Sequence, residues 1–215
     1  MKTILCYGDS NTHGAVSVNG ERFKWEERWP NILGKLLGNG YDVKESGVDG
    51  RTTAYTDPVG GEELNGLSHL SAAMLTHAPL DLLILMLGTN DTKEYFHLSV
   101  AQIAQGMEKL IVKAQSMDCW RNAVPEILVI APAPILPGYE TKDSFYYLGN
   151  GCAEKSAALA PVYERLSRLK KCEFFDASGI AEINSEDHIH LTREGHQALA
   201  RSVAEIIRPK DQEPS

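Results

Sequence analysis

A chain of 215 residues, 43% hydrophobic and 23% charged, has the composition of one globular domain with its own core. Its net charge of −8 disfavours nucleic acid or an anionic membrane surface as a partner. The N-terminus lacks the apolar run and cleavage site of a signal peptide, and no stretch approaches the ~18 apolar residues of a membrane span. The four cysteines (Cys6, Cys119, Cys152, Cys172) are scattered without a CxxC pair, so free thiols and a cytoplasmic location are expected.

The short apolar run Thr3-Ile4-Leu5-Cys6-Tyr7 reads as a buried strand. It leads into Gly8-Asp9-Ser10-Asn11-Thr12-His13-Gly14, which places a serine at the carboxyl end of the strand, where open α/β sheets bind ligands. Taken by itself, Ser10 is either the N-cap of an ordinary strand-to-helix turn or a nucleophile. Further on, Trp29, Ile32, Leu33, Leu36 and Leu37 share a helical face, with Pro30 in the first turn and Gly38 at the C-terminal cap. Tyr41 to Glu45 is a second short strand, left by the loop Gly47-Val48-Asp49-Gly50. If that strand neighbours the first, the Gly50 amide comes near Ser10.

Asn65 or Ser68 caps the next helix, whose apolar face is Leu67, Leu70, Met74 and Leu75 and whose stop is Pro79. Leu82 to Leu87 is an unbroken apolar run, as expected of a central parallel strand covered on both faces, and it delivers Gly88-Thr89-Asn90-Asp91. Ser99 and Gln102 form a capping box ahead of Val100, Ile103, Met107, Leu110 and Ile111 at helical spacing. Glu126 to Ala131 is the fourth strand, and Pro132, Pro134 and Pro137 impose an extended exit.

The aromatic segment from Gly138 to Gly151 has no clean period and reads as a loop, either plain surface, a wall of the substrate pocket or a contact between copies. A helical region from Ala153 to Leu169 should kink or restart at Pro161. Glu173 to Asp176 is the last strand. Thr192 caps a final helix with Leu199, Val203, Ile206 and Ile207 inward, and 209–215 reads as a disordered tail after a single domain over 1–208. Strands alternating with helices imply an α/β three-layer sandwich on a five-stranded parallel sheet.

A serine hydroxyl needs a base to take its proton and a third group to orient that base. Asp187-His188-Ile189-His190 supplies both: the i, i+3 spacing lets Asp187 reach one nitrogen of His190 and leave the other for Ser10. Asp187 adjoins His188 and would have to fold back sharply to orient that ring instead. The same three side chains could be metal ligands, but there is no HExxH and no cysteine nearby, so neither metal nor cofactor is expected. The absence of GxSxG excludes an α/β-hydrolase elbow.

With Ser10, Gly50, Gly88-Thr89-Asn90-Asp91 and Asp187 to His190 in this order, the chain resembles the SGNH hydrolases, the GDSL esterase and lipase family. Ile4 to Ser10, Gly50-Arg51-Thr52-Thr53 and Met86 to Lys93 are more narrowly similar to its bacterial arylesterases and acyltransferases. The resemblance implies a flavodoxin-like strand order 2-1-3-4-5 and an oxyanion hole made by the Ser10 and Gly50 amides and the Asn90 side chain. It also implies a serine esterase acting on a small-molecule, acetyl-type ester, with acyl transfer or carbohydrate deacetylation as related activities, and a homo-oligomer. Asn11 and His13 depart from the leucine and tryptophan of those relatives, and as substrate-binding residues they would make the pocket more polar.

Overall fold

The apolar run at the start of the chain forms strand β1 (Lys2–Gly8), which turns at once into the short helix α1 (Ser10–His13). Helix α2 (Trp29–Leu37), with Pro30 in its first turn, leads to strand β2 (Tyr41–Gly47), two residues longer than its composition suggests. Helix α3 (Gly66–Thr76) is capped by Asn65, whose side chain accepts from the amides of Leu67 and Ser68, which decides between the two candidate caps. Strand β3 (Leu82–Met86) is buried throughout. Helix α4 (Val100–Gln115) begins with the reciprocal Ser99–Gln102 capping box, and strand β4 (Ile127–Ala131) follows.

The aromatic segment after β4 is not a bare loop, for it contains a 3₁₀ turn at Tyr139–Thr141 and the one-turn helix α5 (Phe145–Leu148). The next helical region is split: α6 (Cys152–Ala157) ends at Ala158 and α7 (Leu159–Lys170) restarts there, with Pro161 in the first turn where its missing N–H leaves no bond unmade. Strand β5 (Glu173–Asp176) and helix α8 (Arg193–Ile207) complete the fold. The structure, a computed structural model, describes residues 1–208, and the expected disordered tail lies outside the described residues.

All five strands run parallel in the order β2-β1-β3-β4-β5, with helices on both faces. The pleat divides the apolar runs between two cores. Leu5, Tyr7, Leu83, Leu85, Ile127 and Val129 point toward α3, α4 and α7. Ile4, Cys6, Leu82, Ile84, Leu128 and Ile130 point toward α2 and α8. Burial of each of these large side chains contributes about 1.5–3 kcal/mol, which makes the sheet a stiff platform for the loops at its carboxyl edge.

Not every residue of the expected apolar faces is fully covered, and Ile32, Leu36, Leu37, Leu67 and Val100 are half-buried. Leu75 is 57% exposed, because it lies about 100° around the helix from Met74 and off the stripe that Leu70 and Met74 bury. Ile206 is half-buried, whereas Leu199, Val203 and Ile207 of the same helix are buried as expected. Cys6, Cys119, Cys152 and Cys172 are all free thiols. Among the described residues no helix is long and apolar enough to cross a membrane.

Candidate active site

The cap of α1 settles the role of the first motif. Asp9, not Ser10, is the N-cap: its Oδ1 accepts from the Asn11 amide at 3.0 Å, and Ser10 is the first helical residue. The serine hydroxyl is thereby released from the turn's own hydrogen bonding. Gly47, at the end of β2, lies so close to this helix that a Cβ there would meet the His13 amide nitrogen at 2.1 Å. That contact lets the β2 loop run beside Ser10, and Ser10, Gly50, Asn90 and His190 all line one cavity of about 250 Å³.

His190 and Asp187 meet as the spacing predicts. His190 Nδ1 lies 2.6 Å from Asp187 Oδ2, which leaves Nε2 as the ring nitrogen without a protein partner. Asp187 is buried and its oxygens also accept the amides of Val18, Ile189 and His190 at 2.9–3.0 Å. Burial alone would raise its carboxyl, but the His190 ring and these amides more than offset that and hold it below the ordinary carboxylate value. His188 turns away with φ +64° and sets its Nδ1 3.1 Å from the Pro137 carbonyl. Of the two rings, the Asp187 carboxylate meets that of His190.

On the other side of the cavity, Gly50 adopts φ +79°, a conformation that side-chained residues resist, which favours glycine here. Asn90 sits in a 3₁₀ turn after β3 and donates one Nδ2 hydrogen to the Arg51 carbonyl at 3.1 Å. An amide carries two such hydrogens, so the second remains for a ligand. The Gly50 loop and the Asn90 turn are fastened together a second time by the buried Asp91, whose carboxylate accepts both the amide and the hydroxyl of Thr53.

Sequence reading attached no role to Arg51, yet it is central to the site's geometry. Its guanidinium is buried, donates to the Gly8 and Ser46 carbonyls, and lies 4.1 Å above the Tyr7 ring. It thus joins the ends of β1 and β2, while its own carbonyl orients Asn90. Only its charge in an otherwise turn-like motif hinted at this. Lys93 also lines the cavity, but its ammonium pairs at 3.1 Å with the buried Asp57.

Asn11 and His13 do not line the cavity. Asn11 is buried, and its side chain accepts from the Leu191 amide at 2.9 Å and donates to the Ile189 carbonyl at 3.3 Å. It is a clamp that holds the His190 segment against α1. His13 faces Asp49, with Nε2 3.9 Å from Oδ1. Neither contributes to the polarity of the pocket. Among the described residues no group of three or more His, Cys, Asp or Glu side chains could hold a metal ion, and every Asp187 oxygen is already engaged in protein hydrogen bonds.

The buried carboxyls of Asp9 and Asp91 are pushed up to about 6, chiefly by desolvation. Asp9 Oδ2 has no hydrogen-bond partner among the described residues. A carboxyl raised in the fold destabilises it above the folded value, and this cost disappears as pH falls toward the unfolded value. Asp9→Asn keeps the cap's acceptor and removes the titration. Relative to the parent, the variant should therefore gain on the order of 3 kcal/mol of stability between pH 4 and pH 8. Denaturant melts across that range check this, and parallel curves would show that Asp9 does not titrate there.

The chain matches the GDSL-like lipase/acylhydrolase family over residues 6–198. It belongs to that family and is a carboxylic ester hydrolase. Among solved structures, Est24, a carbohydrate acetylesterase from Sinorhizobium meliloti, is 36% identical with a TM-score of 0.90, over 98% of this chain and 100% of that one. The aryl esterase of M. smegmatis is 37% identical with a TM-score of 0.89, over 97% and 99%. A lipolytic protein of the G-D-S-L family from Veillonella parvula, 15% identical over 97% and 99% with a TM-score of 0.68, shares the fold. No curated protein sequence matched the chain.

Proposed function

We propose that the protein hydrolyses short-chain, acetyl-type esters through an acyl-enzyme on Ser10. The observation that carries this is the convergence of Ser10, the Asp187–His190 pair, Gly50 and Asn90 on one cavity. In this reading His190 Nε2 takes the Ser10 proton as Oγ attacks the ester carbonyl. The oxyanion is received by the Ser10 and Gly50 amides and the free hydrogen of Asn90. Collapse expels the alcohol, which takes the proton back from His190. Water then repeats the sequence on the acyl-enzyme, yielding the acid and free Ser10.

The acyl preference follows from the lining, where Ser17, Asp49 and Lys93 interrupt the apolar Ala15, Val18, Leu148 and Ile189. No continuous apolar groove is left for a long acyl chain. We expect a higher kcat/KM on acetyl and propionyl esters than on esters of eight carbons or more, and the opposite order would refute the assignment. A burst of p-nitrophenol from p-nitrophenyl acetate separates this enzyme from a silent binding module of the same fold.

A further inference from the structure

A cation buried without a counter-ion destabilises a fold, so its presence calls for a use, and Arg51 is such a cation. Only 5% of it is exposed, and among the described residues it makes no ion pair, whereas Asp57 meets Lys93 and Asp187 meets His190. Burial lowers its pKa, yet a guanidinium stays protonated, so a positive charge is held in the interior. Tyr7 and Asp9 act on it through space. The Tyr7 hydroxyl, pushed up to about 12 by burial, stays neutral and donates to the Gly66 carbonyl, while the Asp9 carboxylate is turned to the cap of α1. The hydrogen bonds of the guanidinium go instead to peptide groups. Its Nη1 bridges the carbonyls of Gly8, the last residue of β1, and Ser46, the last but one of β2.

The backbone of the same residue completes the set. Its amide donates to the Val48 carbonyl at 3.1 Å, closing the turn that contains Gly50, and its carbonyl accepts from Asn90 at 3.1 Å. The Val48 amide in turn donates to the Gly8 carbonyl at 3.2 Å. The three segments that carry Ser10, Gly50 and Asn90 therefore meet at Arg51. We propose that Arg51 is the positioning residue of the oxyanion hole, fixing its three donors relative to one another. The inference rests on the esterase reading above and adds what holds the hole in shape. Arg51 does not line the cavity, so it acts through the peptide groups it holds. Oxyanion donors work at about 2.7–3.1 Å, and a misplacement of about 1 Å costs on the order of 10²-fold in rate. Donors from three separate loops meet that tolerance when one group common to all of them sets their spacing. A charged donor suits the task, because its hydrogen bonds are about twice as strong as those of a neutral one.

The test measures p-nitrophenyl acetate kinetics, methylboronic acid binding and thermal melts in the parent, Arg51→Met, Arg51→Lys and Arg51→Met combined with Asn90→Ala, with activity read well below each melting temperature. Ser10 Oγ adds to the boron and its proton passes to His190, leaving a tetrahedral boronate anion whose oxygen occupies the hole. Arg51→Met should lower kcat about 10²-fold with KM within about threefold, and weaken the boronic acid by a similar factor. Arg51→Lys keeps the charge without the planar fork and should fall about tenfold below the parent in both readings. In the Asn90→Ala background the methionine substitution should lower kcat by only about tenfold, because one of the groups that Arg51 positions is gone. Parental kcat in Arg51→Met, a change in KM alone, boronic acid binding that does not follow kcat, or full additivity with Asn90→Ala overturns the role. Should Arg51→Met not fold, Arg51→Lys decides: equal losses in kcat and boronic acid affinity at an unchanged melting temperature support the role, and parental values overturn it. Each of these failures leaves an active parent, whereas a parent inert to both reagents removes the esterase reading as well.

Discussion

His190→Ala should lower turnover on p-nitrophenyl acetate by about 10⁴-fold or more, while His188→Ala, two residues away, should lower it by less than about tenfold. The two rings occupy different environments. His190 is buried and held through Nδ1 by a carboxylate that also accepts three backbone amides, so both its tautomer and its direction are set. His188 is half-buried, its ring partnered by the Pro137 carbonyl, and no carboxylate orients it. Members of a catalytic triad act as a unit, so loss of the base removes nearly the whole contribution of the serine. A dead His188→Ala beside an active His190→Ala would overturn the assignment.

Asn90→Ala should lower kcat by about 10²–10³ with little change in melting temperature. Its side chain makes one hydrogen bond to protein, to the Arg51 carbonyl, so its removal costs the fold little. The adjacent Asp91 provides the contrast, since its buried carboxylate holds the Thr53 amide and hydroxyl. Asp91→Ala should therefore unfold at markedly lower temperature, leaving two buried donors unpaired. Activity measured alongside thermal melts separates the two residues. Should Asn90→Ala lose activity only in step with stability, its amide is a structural cap instead of an oxyanion donor.

Features that depend on local patterning were legible in the chain itself. The apolar runs Leu82 to Leu87 and Glu126 to Ala131 lie on the two central strands within one residue, because a strand covered on both faces needs continuous apolar character. Asp187 and His190, three residues apart, could be paired by spacing. Roles defined across long separations were not legible. Asn11 reads as a substrate-binding residue beside Ser10, and nothing near it in sequence announces that its side chain closes on Leu191. Arg51 could likewise not be placed over Tyr7 without the register of β1 against β2. The choice between Asp9 and Ser10 as cap depends on one backbone conformation, since both residue types cap helices well.

The Asn11 clamp has a bearing on when the protein becomes reactive. It spans 180 positions to Leu191, and Val18 reaches 169 to Asp187, so the Ser10 loop and the Asp187–His190 loop are each braced by the other. A ribosome that has completed the first four strands has made Ser10, Gly50 and Asn90, but neither Asp187 nor His190. Closing so long a loop comes late in assembly, because its entropy is repaid only once the intervening sheet is formed. Under the proposed mechanism hydrolytic competence is withheld from partial chains, and its onset can serve as a clock for the final docking event in refolding.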